Sequence, residues 1–361
     1  MKNGLPEHGG NLSWAKRHYG RTDFLDFSAN INPLGCPKSV FEILSSSWQE
    51  LLHYPDPEAA LLKETLQDYY HLPKEHLLLG NGAVELIYLI CLWLHPRRVL
   101  ILEPTFSEYA KAAKAVKADL SYLPLYTGEE FQLDLRQLEE KLKSADLFFL
   151  CNPNNPTGNI WSYEVLHKIE ELCLKYRTFL VVDESFIDFV PDKEHYSLRK
   201  NVRHNPNLFV LHSLTKFFAI PGLRLGCGLA HPDLIAELSN IKDPWNINVF
   251  AQLAGKAAVE DKLFQTETIK YVSREKDFLY NEIVKFPAYH VFPSAANFLL
   301  FKLLPGELTS SLLTDSLARQ GILVRNCNTF PILGENFIRI AVRKREENIR
   351  LLAALAETGH L

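Results

Sequence analysis

The sequence lacks any apolar segment long enough to cross a lipid bilayer. Its longest apolar run, residues 84–94, contains Glu85 and is well short of the roughly 20 residues that a spanning helix needs. The N-terminus has no apolar core of the kind found in signal peptides. We therefore expect a soluble cytoplasmic protein, in which residues 84–94 form a buried helix.

The sequence also lacks paired cysteines and an excess of charge. None of its six cysteines belongs to a C-x-x-C pair, so neither structural zinc nor a disulfide framework is expected, and a reducing compartment fits. The 39 basic and 43 acidic residues give a net charge of −4, without a block of like charge. This composition indicates neither a nucleic-acid nor a membrane partner.

What the sequence does contain is a regular alternation of short apolar runs with helical patterns. It predicts strands at 98–102, 120–124, 146–151, 178–182 and 208–212, and helices near 106–117, 134–143 and 162–175. Such alternation indicates an α/β fold with a largely parallel sheet covered by helices. Ligands of such folds bind beyond the strand ends, where the connecting loops meet.

The pattern changes near residue 288, where shorter strands begin. It predicts strands at 298–302, 322–325 and 336–342 and helices at 308–319 and 345–358, which indicates a second, smaller α/β domain. We predict an N-terminal arm at the functional site or small domain (1–35), a large domain (36–265) and a small C-terminal domain (266–361).

One stretch combines a lysine in apolar surroundings with groups suited to binding phosphate. Lys216 has mostly apolar neighbours, and desolvation would keep part of its amine neutral and nucleophilic. Ser213 and Arg224 suit a phosphate, and the Pro-Gly turn at 221–222 would bring Arg224 back toward the lysine. These are the groups that a pyridoxal phosphate (PLP) Schiff-base site requires.

Two other interpretations of S-x-x-K were weighed. An isolated motif of this kind is more often a surface lysine beside a buried strand. The motif also occurs in β-lactamases with serine as the nucleophile, but the sequence has no convincing S-D-N or K-T-G partner. The other motifs of the chain must decide between these interpretations.

Three of those motifs follow predicted strands. A predicted helix begins within Gly-Asn-Gly-Ala-Val-Glu (80–85), and its N-terminus would bind an anion. Glu85 stands where a dinucleotide-binding motif would have its third glycine, so an NAD site is not indicated. Asn-Pro-Asn-Asn-Pro-Thr-Gly (152–158) forms a rigid loop whose amides could donate to a ring oxygen. Asp183 ends a buried strand and needs a partner, either a protonated pyridine nitrogen or a structural cap or ion pair.

Two polar segments near the chain ends are further candidates. His8-Gly-Gly-Asn would bind an anion through backbone N–H groups and His8, unless it is simply a flexible terminus. Arg325 and Arg339 alternate with apolar residues in predicted strands, where they either face solvent or bind a carboxylate or phosphate.

Taken together and in order, the motifs resemble those of the class I and II aminotransferases, which are fold-type I PLP enzymes. The resemblance covers residues 26–340 and rests on Tyr-Pro-Asp (54–56), Gly-Asn-Gly (80–82), the loop 152–158, Asp-Glu (183–184), Ser-x-x-Lys (213–216) and Gly-Leu-Arg (222–224). It implies a large, mostly parallel-sheet domain with a smaller C-terminal α/β domain, PLP as cofactor, and a homodimer with shared sites.

The resemblance also implies a role for individual residues. Lys216 would bind PLP covalently, Asp183 would pair with the pyridine nitrogen and Asn155 would bond the ring 3′-oxygen. Phe106, or as second candidate Tyr109, would stack on the ring. The cofactor phosphate would be held by Gly82, Ala83, Val84, Ser213 and Arg224, and by Tyr54 from the neighbouring subunit.

Two branches of the family fit this sequence, the threonine-phosphate decarboxylases and the histidinol-phosphate aminotransferases. The start His8-Gly-Gly-Asn and the segment 27–35 resemble the decarboxylases, whereas the aminotransferases have Glu where Ile31 stands. Phe186 stands where the wider family has a tyrosine that donates to the ring 3′-oxygen. The family's substrate contacts map onto His8, Gly9, Asn30, Asn155, Arg325 and Arg339.

The decarboxylase branch implies conversion of O-phospho-L-threonine to (R)-1-aminopropan-2-yl phosphate and carbon dioxide, in cobalamin biosynthesis. The alternative is amino transfer from histidinol phosphate to 2-oxoglutarate. A more distant alternative is a PLP-binding protein without catalysis.

Overall fold

The computed structural model describes residues 7–358. The expectation that the N-terminus is not a signal peptide concerns residues 1–6 in part, and these lie outside the described range. The described strands form sheets of seven, four and two strands. None of the helices in this range combines the length and the apolar character that crossing a membrane requires.

The strands and helices alternate along most of the chain. The strands are β1 Leu25–Asp26, β2 Leu77–Asn81, β3 Arg98–Glu103, β4 Asp119–Pro124, β5 Leu147–Cys151, β6 Phe179–Asp183, β7 Leu208–Ser213, β8 Leu225–Ala230, β9 Tyr289–Val291, β10 Phe298–Leu303, β11 Ile322–Leu323, β12 Arg325–Asn326 and β13 Phe337–Ala341. The α-helices are α1 Leu12–Tyr19, α2 Lys38–Ser46, α3 Ala60–Tyr70, α4 Ala83–Leu94, α5 Glu108–Ala115, α6 Leu135–Leu142, α7 Tyr163–Tyr176, α8 Leu214–Phe217, α9 Pro232–Ile241, α10 Val249–Glu260, α11 Lys262–Ile283, α12 Ser310–Arg319 and α13 Arg345–Thr358. Short 3₁₀ helices lie at Trp48–Leu52, Lys74–His76, Ile187–Phe189, Lys193–Tyr196, Asn201–Arg203 and Pro221–Leu223.

The seven-stranded sheet has the order β2-β8-β7-β6-β5-β3-β4, and β8 runs in the direction opposite to the other six strands. Its central strands β5 to β8 are buried at every position. Along β6, Leu180 and Val182 pack into the apolar cluster on one face, while Phe179 and Val181 pack into the cluster on the other. Burial on both faces explains why these strands are continuous apolar runs, and the predicted α/β fold is confirmed.

Strand β8 was not predicted, because glycine usually weakens a strand pattern and this strand contains two. Here the glycines are required by close approach. A Cβ at Gly228 would lie 2.0 Å from the ring of Phe209, and one at Gly226 would lie 2.5 Å from the backbone nitrogen of Ala83. Gly226 thereby allows the first turn of α4 to lie directly against the sheet.

Three neighbouring strands end at the same edge of the large sheet. Cys151 at the end of β5 pairs with Asp183 at the end of β6, and β7 ends beside them at Ser213. The loop 152–158 and the helix α8 therefore begin close to one another. This edge collects the motifs that the sequence placed at strand ends.

The N-terminal arm is tied to the C-terminal part of the chain. Strand β1 pairs in parallel with β11, and the backbone of Phe27 bonds both Leu323 and Ala341 at 2.8 Å. The four-stranded antiparallel sheet, in the order β12-β13-β10-β9, lies in this C-terminal part. The division into arm, large domain and small domain at the stated residues stays a prediction.

Candidate active site

A cavity of about 500 Å³ opens at the carboxyl edge of the large sheet. The arm, the large-sheet loops and the C-terminal strands all contribute to its walls. Of the residues predicted for the site, it is lined by His8, Gly9, Asn30, Ala83, Val84, Phe106, Asn155, Asp183, Ser213, Lys216, Arg224, Arg325 and Arg339. The structure thus brings together residues that lie more than 300 positions apart in the sequence.

Lys216 lies in the short helix α8, directly after β7. Burial first, and then the positive charges of Arg339 and Arg224, lower the pKa of its amine to about 8. A larger share of the amine is therefore neutral near neutral pH than in an exposed lysine. The backbone carbonyl of Lys216 accepts a hydrogen bond from the backbone of Asn32 at 3.1 Å, which ties the arm to this turn.

A cradle suited to an anion lies where α4 begins. Gly82 caps α4 with φ of 77°, and a Cβ there would lie 2.3 Å from Nη2 of Arg224. Arg224 itself follows the 3₁₀ turn at 221–223 with φ of 61°, so the predicted turn does bring its guanidinium back to the site. Free backbone N–H groups at a helix N-terminus together with a guanidinium form an anion site. Ser213 adds a hydroxyl group to the same wall.

Asp183 is a buried carboxylate without a cationic partner among residues 7–358. Its Oδ2 accepts a hydrogen bond from the Tyr109 hydroxyl at 2.6 Å, and its Oδ1 accepts one from the backbone N–H of Ser185 at 2.9 Å. Burial raises the pKa of Asp183, and these hydrogen bonds oppose the rise. A protonated ring nitrogen would supply the missing positive partner, so the residues here fit PLP.

The two aromatic candidates for ring stacking occupy different places. Phe106 lines the cavity. Tyr109 is fully buried, stacks on Phe149 with ring centroids 4.9 Å apart, and is not among the residues that line the cavity. The structure therefore places Tyr109 behind Asp183, where it acts on the carboxylate rather than on a ligand ring.

Asn155 and Arg339 connect the loop 152–158 to the C-terminal sheet. Nη1 of Arg339 donates to Oδ1 of Asn155, and Nη2 donates to the backbone carbonyl of Ser28 at 2.8 Å. Because Oδ1 of Asn155 is already an acceptor, its amide nitrogen is left to donate to a ligand. Burial lowers the pKa of Arg339 to about 10. Within the described range, no carboxylate forms an ion pair with this arginine.

Arg325 is held by its own loop. Its Nη2 donates to Oγ1 of Thr329 at 2.6 Å, and its guanidinium lies 5.5 Å from the centre of the Phe330 ring. Asn30 is also buried at this wall, and its Oδ1 makes no hydrogen bond to any described residue. The guanidinium groups of Arg325 and Arg339 supply donors for anionic groups at this wall, and Oδ1 of Asn30 is an acceptor open to a donor of a ligand.

The arm enters the cavity through His8 and Gly9. A Cβ at Gly9 would lie 1.9 Å from the carbonyl oxygen of Ser28, so only glycine allows this approach. The backbone N–H of Gly10 donates to Oγ of Ser28 at 2.8 Å. Nε2 of His8 lies 2.8 Å from Oε1 of Glu108.

Several cavity residues were not predicted from the sequence. Besides Glu108, they include Cys151, Ser185, Thr329 and Phe330. Glu108 follows Phe106 by two residues, so its position beside a predicted site residue was a signal. Nothing local marks Thr329 and Phe330, because they reach the site only through the fold of the C-terminal part.

Tyr54 is a predicted contact that lies on the surface, away from this cavity. Its side chain is 81% exposed, and its ring centroid is 5.0 Å from that of Trp245. It is not among the residues that line the cavity of its own chain. Its predicted contact with the cofactor from a neighbouring subunit stays a prediction.

Comparison with known proteins assigns a family. The profile "Aminotransferase class I and II" matches residues 22–355. The chain is 36% identical over 351 residues to the threonine-phosphate decarboxylase of Salmonella typhimurium, across 96% of this chain and 95% of that protein. It is 33% identical over 345 residues to the histidinol-phosphate aminotransferase of Desulfitobacterium hafniense, across 93% of this chain and 92% of that protein. It shares its fold with the histidinol-phosphate aminotransferase of Sinorhizobium meliloti, solved in complex with pyridoxal-5′-phosphate, at a TM-score of 0.89 and 22% identity, over 99% of this chain and 95% of that one.

Proposed function

The chain belongs to the class I and II aminotransferase family, and from this premise we propose that it is a PLP-dependent decarboxylase of O-phospho-L-threonine. The products would be (R)-1-aminopropan-2-yl phosphate and carbon dioxide, in cobalamin biosynthesis. Identity to the Salmonella typhimurium threonine-phosphate decarboxylase, 36%, exceeds the 33% identity to the Desulfitobacterium hafniense aminotransferase.

The observation in the structure that supports a substrate with two anionic groups is a second group of cations in the cavity. Arg325 and Arg339 are only 7% and 6% exposed, and both line the cavity in addition to Arg224 in the cradle at α4. O-phospho-L-threonine has a carboxylate and a phosphate for two such arginines. The 2-oxoglutarate of the aminotransferase reaction also has two anionic groups, so the choice between the two reactions rests on the higher identity to the decarboxylase.

We assign the cofactor to the carboxyl edge of the large sheet. Lys216 would hold it covalently, Asp183 would pair with its ring nitrogen, Asn155 would donate to its ring oxygen, and Phe106 would lie against the ring. Its phosphate would be held by Gly82, Ala83, Val84, Ser213 and Arg224. When bound, PLP supplies an electron sink for the bond that breaks at the substrate Cα.

The protein's own part is to orient the substrate and move a proton. Arg325 and Arg339 would hold the carboxylate and the phosphate, so that the Cα–carboxylate bond rather than the Cα–H bond stands perpendicular to the cofactor ring. Because the pKa of Lys216 is about 8, its Nζ can carry a proton near neutral pH and return it to Cα after carbon dioxide leaves. Phe106 and Phe186, which line the cavity, limit the access of water.

We further propose that the protein acts as a homodimer in the cytoplasm. A set of large apolar side chains is exposed, namely Phe41, Trp48, Leu51, Leu52, Tyr54, Leu61 and Trp245. Exposed apolar residues in this number are typical of a surface that another chain covers. A second copy of this chain would then present Tyr54 to the neighbouring site. All six cysteines are free thiols, which fits a reducing compartment.

The test is to offer purified holoenzyme O-phospho-L-threonine without any keto acid and to follow carbon dioxide. We expect many turnovers and one equivalent of 1-aminopropan-2-yl phosphate for each carbon dioxide released. Lys216→Ala, which removes the amine, is the matched control and should release none.

Histidinol phosphate with 2-oxoglutarate should be assayed in parallel. If that pair turned over and no carbon dioxide came from phosphothreonine, the decarboxylase assignment would be wrong and the aminotransferase assignment right. The family and the cofactor would be unaffected by that result.

A further inference from the structure

Glu108 is an acidic residue in a cavity that is otherwise rich in positive charge. It is the first residue of α5, it lines the cavity, and its side chain is 13% exposed. A carboxylate in the wall of a site for a phosphorylated substrate would repel that substrate unless other groups engage it. The contacts of Glu108 show which groups do so.

One oxygen of Glu108 is shared by two donors. Oε1 lies 2.8 Å from Nε2 of His8 in the arm and 2.8 Å from Nζ of Lys111 one turn later in α5. Nζ of Lys111 also lies 2.9 Å from Oε2 of Glu7. Glu7, Lys111, Glu108 and His8 therefore form a chain of alternating hydrogen bonds that fastens the arm to α5. We call these four residues the arm clasp.

The charges of the clasp are mutually stabilising. The hydrogen bond from His8 and the contacts with Lys111 lower the pKa of the Glu108 carboxyl to about 2, although burial opposes this. Glu108 is therefore ionised at neutral pH and remains a strong acceptor for both donors. The hydroxyl of Tyr88 also faces this carboxylate.

The clasp determines which ring nitrogen of His8 is available to a ligand. Its Nε2 is engaged by Glu108, while Nδ1 makes no hydrogen bond within residues 7–358, and the imidazole lies at the wall of the cavity. A neutral imidazole that donates from Nε2 to Glu108 carries no proton on Nδ1. As an imidazolium, in which both nitrogens carry protons, His8 can donate from Nε2 to Glu108 and from Nδ1 to a phosphate. The ring centroid of His8 is 6.0 Å from that of Phe106, so this nitrogen belongs to the same end of the cavity as the proposed cofactor ring.

We propose that Glu108 is a positioning residue that holds His8 at the cavity and thereby sets the affinity for the substrate's phosphate group. The inference rests on the proposed function for the identity of the substrate, but it concerns the phosphate alone. Glu108 acts through His8 and touches neither the reacting bond nor the cofactor.

The first test is Glu108→Gln, which keeps the shape and removes the charge. We expect KM for O-phospho-L-threonine to rise about tenfold, the size of one lost charge-assisted hydrogen bond, with kcat within a factor of about two. KM for L-threonine, which has no phosphate, should not change. Glu346→Gln, which makes the same charge change at an exposed position of α13, is the matched control.

A double-mutant cycle tests whether Glu108 works through His8. In a His8→Ala background, Glu108→Gln should have no further effect on KM, because the residue that it positions is already absent. If the full effect of Glu108→Gln remained in that background, the proposal would be wrong. A fall in KM would overturn it too, since Glu108 would then act only as a repelling charge.

A binding measurement separates this inference from the proposed function. Inorganic phosphate titrated calorimetrically into the PLP holoenzyme, whose cofactor phosphate already fills the cradle, should bind about tenfold more weakly to Glu108→Gln. That result would support the inference even if phosphothreonine released no carbon dioxide. Unchanged phosphate affinity would overturn it, whatever reaction the enzyme catalyses.

Discussion

At the scale of single residues, the site keeps its two central ionisable groups in unusual environments. Burial lowers the pKa of Lys216 and raises the pKa of Asp183, so both groups are shifted toward their neutral forms. Asp183 then needs a positively charged partner to stay ionised, and the neutral amine of Lys216 is free to form a covalent bond. A cofactor with an aldehyde and a ring nitrogen satisfies both requirements at once.

The shift of Lys216 predicts a pH dependence for the apoprotein. Its pKa is lowered from 10.5 to about 8 by burial first, and then by Arg339 and Arg224. The amine should therefore be half neutral near pH 8 and become fully reactive above it. Competitive labelling with acetic anhydride, read at the Lys216 peptide across pH 6 to 11, should give a midpoint about 2.5 units below that of an ordinary lysine.

The cause of the shift can be checked in the same experiment. Arg339→Ala removes a positive charge and should move the Lys216 midpoint to higher pH. Arg350→Ala, at an exposed position of α13 that does not line the cavity, should leave it in place. The same midpoint in all three proteins would show that the charge of Arg339 has no influence on Lys216.

The pKa of Lys216 also determines whether the stability of the apoprotein rises or falls with pH. Between about pH 8 and 10.5 the unfolded chain binds a proton at Lys216 that the folded apoprotein does not. For this group the stability of the apoprotein therefore rises with pH through that window, and it is reduced below about pH 8 where the buried amine must be charged.

At the scale of elements, the sequence predicts strands well where burial is complete. The strands β5, β6 and β7 are mostly apolar and end at Cys151, Asp183 and Ser213, so the sequence predicted both the strands and the edge at which they end. Helix α1 was not predicted, because it depends on context. Its cap is the side chain of Asn11, which accepts from the backbone of Trp14, and its single buried residue is Ala15, which packs with α12 and β11.

The site was predictable to the same extent as its elements. Site residues within local motifs, such as Lys216 in S-x-x-K, could be predicted because their role follows from residue type and spacing along the chain. The contact between Glu108 and His8 could not be predicted, because it joins positions 100 residues apart. Such a contact depends on the path of the arm, which no local pattern records.

The cradle at α4 predicts an effect of a single methyl group. Gly82→Ala should weaken PLP binding by more than tenfold, because the new Cβ would lie 2.3 Å from Nη2 of Arg224 and displace that guanidinium. Its φ of 77° should also cost roughly 1–2 kcal/mol of stability. Titration of PLP into the apoprotein, followed by absorbance, measures the first effect, and thermal unfolding measures the second.

Gly35→Ala is the matched control for this prediction. Gly35 has φ of 82°, but a Cβ there would meet nothing within 4 Å. It should therefore share the loss of stability and keep the affinity for PLP. Equal affinities of the two variants for PLP would show that Arg224 does not depend on the space at Gly82.

At the scale of the whole molecule, the chain leaves one of its predicted site residues on its surface. Tyr54 lies with Trp245 among the exposed apolar side chains, and the cavity of the same chain does not include it. If a second copy covers this surface, each site would combine Lys216 of one subunit with Tyr54 of the other. The proposed dimer is then a requirement of the site, because a single chain could not complete it.

Mixing two inactive variants tests this arrangement. In a hybrid dimer of Lys216→Ala and Tyr54→Ala subunits, one site carries both substitutions and the other carries neither. Random exchange makes half of the dimers hybrids, so the mixture should recover about one quarter of the wild-type activity for two-fold symmetric dimers. Mixing Lys216→Ala with Asp183→Ala, whose positions lie in the same site of one chain, should recover none. If both mixtures stayed inactive after verified subunit exchange, Tyr54 would not act across the interface, and its exposure would need another explanation.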